Sequence, residues 1–172
     1  MITTDRIVIA VGALAAFLLQ VLIAPHIAIL SAMPNFMVAF SLAIAIARKE
    51  GVSPILPFAM GLLFDLLSGG PVGAMAFSLT AASALGSWIY RRTGNDTLFM
   101  AIAVLAASVF VLELLYGLLI LLFGFAAGFF EAFVYRMLPC FIYDFIVTLI
   151  AYLVVVRFLN RDVPLQSEIK QL

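Results

Sequence analysis

The chain has 172 residues, of which 66% are apolar and 10% charged, and its nine basic side chains balance nine acidic ones. A soluble domain averages about 45–50% apolar and about 25% charged residues, so a water-soluble fold is excluded, because too little polar surface would remain to keep it dispersed. Zero net charge offers no global field to nucleic acid or an acidic partner, and one cysteine, Cys140, with one histidine, His26, makes no disulfide framework and no recognisable metal or cofactor constellation.

Residues 7–24 form the first long apolar run, broken only by the amide Gln20 and preceded by Thr3, Thr4 and Asp5 as capping residues. Arg6 is the only basic residue ahead of it, and no small-x-small cleavage site precedes a polar mature domain, so the run reads as a retained helix rather than a signal peptide. Two shorter runs follow: 35–47, closed by Arg48 and Lys49, and 52–67, which contains Pro54, Pro57 and Asp65. Both fall below the roughly 20 residues of a simple span, which predicts helices shielded by neighbours, since broken backbone at membrane depth survives only inside protein.

Residues 72–90 predict a fourth span ending in Trp88, Tyr90, Arg91 and Arg92, an aromatic anchor beside a basic stop. A fifth, 98–123, carries Glu113, and a sixth, 137–158, carries Asp144. An amino terminus in the cytoplasm puts Arg6, Arg48, Lys49, Arg91, Arg92, Arg157, Arg161 and Lys170 inside and leaves Arg136 alone outside. That distribution obeys the positive-inside rule. The expected architecture is an all-α bundle of six transmembrane helices with both termini cytoplasmic, a single membrane domain over 1–159 and a cytoplasmic tail over 160–172. The loops leave no room for a soluble catalytic domain.

Small residues recur every four positions in the fourth span, at Gly70, Ala74, Ser78, Ala82 and Gly86, and in the second at Ala39, Ala43 and Ala47; Gly12 and Ala16 make a weaker pair in the first. Such stripes let helix backbones approach closely in lipid. They predict seams inside this bundle first and docking of another helix second, and a homo-oligomer is compatible with the same faces.

Asp65, Glu113 and Asp144 fall in the outer halves of their spans. A charge at a helix centre costs about 2.5–3.5 kcal/mol on insertion scales, so each acid is expected to face the bundle interior or a partner. Arg136, Cys140, Asp144 and Thr148 repeat at four-residue spacing and give the sixth helix one polar seam. Eight residues of helix put about 12 Å between the backbones of Arg136 and Asp144, which predicts a cross-helix partner for Asp144. A proton path is disfavoured because no lysine, histidine or carboxylate chain accompanies the acids, and no nucleophile and base assemble into a catalytic site. Asp65 has a structural reading. One turn before Ser68, Gly69, Gly70 and Pro71, its carboxylate can accept hydrogen bonds from the N–H groups freed where one helix stops and the next begins.

The stretch GLLFDLLSGGPVG, with Gly61, Asp65, Ser68, Gly69, Gly70, Pro71 and Gly73, resembles the rod shape-determining protein MreD family of bacteria, as do Pro34 and Asn35 opening the second run, Arg48 and Lys49 closing it, and Arg91 and Arg92 ending the fourth. Asn35 stands where many members have Asp. The resemblance implies a non-enzymatic inner-membrane protein of the cell-elongation machinery for lateral peptidoglycan synthesis. It further implies association with the single-span protein MreC and, through it, with MreB, RodA and a class B penicillin-binding protein. It implies a fold like the substrate-binding S components of energy-coupling-factor vitamin transporters, and no cofactor. The competing reading is a vitamin-binding S component itself, with the three acids lining a pocket.

Overall fold

The computed structural model describes residues 2–28, 33–48, 53–93, 97–124, 130, 133 and 137–159, with side chains described from residue 7 onward. Among these are six α-helices, α1 (Ile2–Leu22), α2 (Phe36–Ala47), α3 (Ile55–Ser68), α4 (Ala74–Thr93), α5 (Leu98–Leu122) and α6 (Leu138–Leu159), with a 3-10 turn at Ala24–His26. Pro25 occupies that turn, where its missing N–H leaves no helical bond unmade. Arg136, expected to be the lone outer cation, lies outside the described residues, as do Lys49 and the tail from residue 160.

The shortest of the six described α-helices is the centre of the molecule. All ten residues from Met37 to Ile46 in α2 are buried, and α2 packs against each of the other five helices. Its sequence, FMVAFSLAIAIA, is apolar on every side, which suits only an enclosed helix. Twelve residues reach about 18 Å, short of the roughly 30 Å hydrocarbon layer. Among the described residues, three segments are long and apolar enough to cross a membrane unaided: Ile7–His26, Leu98–Leu122 and Leu138–Leu159.

The small-residue stripe of α4 is spent within the chain. Ala74, Ser78, Ala82 and Gly86 are all buried, and a Cβ at Gly86 would collide with Ser108 Oγ of α5. The α2 alanines Ala39 and Ala43 are likewise interior, and a Cβ at Gly12 of α1 would strike the Phe40 ring of α2. The helix ends carry local devices: Thr97 Oγ1 accepts from Met100 N at 3.4 Å at the start of α5, and Arg92 lies 4.7 Å over the Trp88 ring near the end of α4. At the opposite end of the bundle, Tyr143 of α6 donates to the Ile27 carbonyl at 2.6 Å, tying the segment after α1 to α6.

Candidate functional site

Two helices begin at the same end of the bundle, and both have their N-termini satisfied from outside. α3 ends at Gly69 with φ 67°, a left-handed stop that glycine adopts without penalty. Its last buried residue is Asp65, 1% exposed, and that carboxylate reaches across the turn to α4. Asp65 Oδ2 accepts from Gly73 N at 2.8 Å and Ala76 N at 3.2 Å, and Met75 N donates to Oδ1 at 3.0 Å and Oδ2 at 3.1 Å. Ala74 N donates to the Pro71 carbonyl at 3.1 Å. Every N–H that the first turn of α4 would otherwise leave open therefore has an acceptor. Gly73 takes φ 97° at the position before the helix, where it carries no capping side chain, and Asp65 supplies the cap instead. Ser68 Oγ donates to the Asp65 carbonyl at 3.4 Å and closes the end of α3.

The start of α2 is served by its own N-cap and by two other helices. Asn35 Oδ1 accepts from Val38 N at 3.1 Å, the ordinary N-cap contact. Asn35 N donates to Asp144 Oδ1 of α6 at 2.8 Å, and Phe36 N donates to Gln20 Oε1 of α1 at 2.8 Å. Asn35, Gln20 and Asp144 are all buried, and Glu113 of α5 hydrogen-bonds the Asp144 side chain. The cross-helix partner of Asp144 is thus main chain as well as a carboxyl. Gln20, read in the sequence only as an amide within an apolar run, is a positioning group for the start of α2; the signal that could have found it is a lone buried-type amide in a run otherwise free of polar side chains.

Asn35, Asp144 and Glu113, but not Gln20, line a cavity of about 690 Å³. Ser68, Gly69, Gly70 and Pro71 form one wall, Asn35 and Asp144 another, and Glu113, Tyr116 and Cys140 the side toward α5 and α6. Phe64 packs edge-on to Tyr116, centroids 6.5 Å apart, across the same space. Asp65 stays behind this surface, occupied by α4, and Pro34 is fully buried beside Asn35.

A second concavity has opposite chemistry. Between α1 and α6, with α2 as its floor, runs an apolar groove of about 530 Å³. Ala15, Ala16, Ala39 and Ala151 keep it shallow-walled, and Phe36 marks the end next to the α2 cap. From Ile7 to Leu19 the α1 wall extends about 18 Å. The turn at residues 68–71 lines the cavity rather than this groove; Asn35 and Phe36, adjacent in the chain, face one each.

A family model described as rod shape-determining protein MreD matches residues 1–161. No curated protein and no solved structure matches the chain.

Proposed function

Since the chain belongs to the rod shape-determining protein MreD family, we propose that it acts as a membrane scaffold that holds the transmembrane helix of MreC in the groove between α1 and α6. Membership carries the general part: a multi-pass membrane protein of the rod-shape machinery, and not an enzyme. All six helices cross the bacterial inner membrane in a fold like that of the transporter S components. The membrane domain covers 1–159, and both the amino terminus and the 160–172 tail are cytoplasmic. The turn from α3 to α4 and the start of α2 then face outward. MreB, RodA and a class B penicillin-binding protein connect indirectly through MreC to lateral peptidoglycan synthesis.

The observation that carries this reading is the groove. α1 is held to the bundle chiefly through α2, so a long channel stays open to the lipid beside it. Its alanine-lined wall would let a foreign backbone approach closely, the main source of helix association where lipid removes any hydrophobic drive. The α4 stripe offers no comparable surface, being buried.

Ala15 is exposed and lines the groove, whereas Leu14 is 59% exposed and points elsewhere. Ala15→Trp is expected to lower MreC recovered with the tagged chain by about tenfold, the effect of about 1.4 kcal/mol, with Leu14→Trp recovering the normal amount. Undiminished capture by Ala15→Trp removes MreC from this groove. The S-component reading is supported by the 690 Å³ cavity; co-purifying transporter ATPase subunits in place of MreC would favour it.

A further inference from the structure

The cavity at the outer end contains more recognition chemistry than a scaffold needs. The helix N-termini around it are already neutralised, α4 by Asp65 and α2 by Asn35, Gln20 and Asp144, so the wall does not simply offer a helix end to an anion. Asn35 lines the cavity, is 3% exposed and has its Oδ1 engaged by Val38 N, so the amide nitrogen is the side-chain group it has left to offer a ligand. Glu113 and Asp144 line the same cavity, and Gly69 and Gly70 add main chain that no side chain of their own covers. Phe64 and Leu67 extend the lining as apolar surface. No lysine or arginine lines it among the described residues.

We infer that this cavity binds a zwitterionic group, a primary ammonium beside an anionic oxygen, carried on an apolar body. The ammonium donates to the carboxyl oxygens of Glu113 and Asp144. The anionic oxygen accepts from the Asn35 amide and from main-chain N–H groups at Gly69 and Gly70, and the apolar body lies on Phe64 and Leu67. The volume falls within the roughly 300–1,000 Å³ range of ligand sites and exceeds the head alone. A phosphatidylethanolamine headgroup and a water-borne zwitterion share this chemistry. The inference stands apart from MreC binding, which uses the other concavity.

Cys140, the only cysteine, lines the cavity one turn before Asp144 and is partly exposed, so its labelling rate reports occupancy. The full chain in phosphatidylcholine nanodiscs is labelled with a small charged methanethiosulfonate. Phosphatidylcholine is the matched control, because its methylated nitrogen has no N–H to donate. Substituting phosphatidylethanolamine, or adding glycerophosphoethanolamine to the water, is expected to slow labelling about tenfold, as occupancy of about nine sites in ten requires. Protection by the lipid alone assigns a headgroup, and protection by the soluble compound assigns a water-borne ligand. Equal rates in all three conditions, or no labelling in phosphatidylcholine alone, overturn the inference. Glu113→Gln is expected to abolish the protection. Gly70→Leu, which adds bulk beside the Tyr116 hydroxyl (a Cβ there lies 3.3 Å away) without touching either cap, is expected to label slowly whatever the lipid. Protection retained by both variants overturns the inference as well.

Discussion

Asp65→Ala is expected to lower the stability of the folded bundle by about 3–6 kcal/mol. The carboxylate accepts from three N–H groups at the start of α4. Charge-assisted hydrogen bonds contribute about 1.5–3 kcal/mol each, and a buried donor stranded without a partner costs about 1–3 kcal/mol. Alanine strands all three where lipid supplies no acceptor. Asp65→Asn keeps one oxygen and no charge, and is expected to lose about half as much. Denaturant unfolding in detergent gives both values, and hydrogen exchange at Gly73, Met75 and Ala76 shows the loss locally, ahead of the rest of α4. A variant as stable as the parent, with slow exchange at those amides, would show that another group caps α4.

Asp144→Asn is expected to be milder, by about 1–2 kcal/mol, because Asn retains a carbonyl oxygen for Asn35 N and Gln20 continues to serve Phe36 N. Exchange at Asn35 should rise before exchange at Phe36, whereas equal rises at both would mean that the N-terminus of α2 opens as one unit.

The Asp65 arrangement was legible because its parts lie together in sequence: an acid, one turn, two glycines and a proline leave a stopped helix, free N–H groups and one nearby acceptor. The cap of α2 was not, because its acceptors come from α1 and α6, and Asn35 and Asp144 are 109 residues apart. Periodicity put Asp144 on a polar seam and the helix rise favoured a cross-helix partner, but a carboxylate gives no sign in sequence of whether it will meet a side chain or main chain. The central place of α2 follows from its all-round apolarity and short length. Its neighbours depend on packing, on which a twelve-residue run is silent. The four-residue stripes presented a related ambiguity, since a seam within the bundle and a docking face for another protein share the same small residues; burial of Ser78, Ala82 and Gly86 resolves it for α4.

Gly61→Ala is expected to rival Asp65→Ala in effect, and the two substitutions are expected to be sub-additive. A Cβ at Gly61 would lie 2.5 Å from Ala76 Cα and 2.7 Å from Ala76 N, against main chain that cannot rotate away. The strain is relieved only by moving α3 off α4, and overpacking of this kind costs about 1–3 kcal/mol before any contact is lost. Gly61 and Asp65 are four residues apart and so share one face of α3, and both meet α4 at Ala76. Backing α3 away for one methyl therefore lengthens the 2.8–3.2 Å contacts that cap α4. Once Asp65 is alanine those contacts no longer exist to be lost, so the double variant should be more stable than the summed single losses predict, by about 1–2 kcal/mol. Losses that add within about 0.5 kcal/mol would make the close approach and the cap independent. Coupling would make them one device, in which glycine at position 61 brings the helices near enough for a carboxylate at position 65 to reach the first turn of the next.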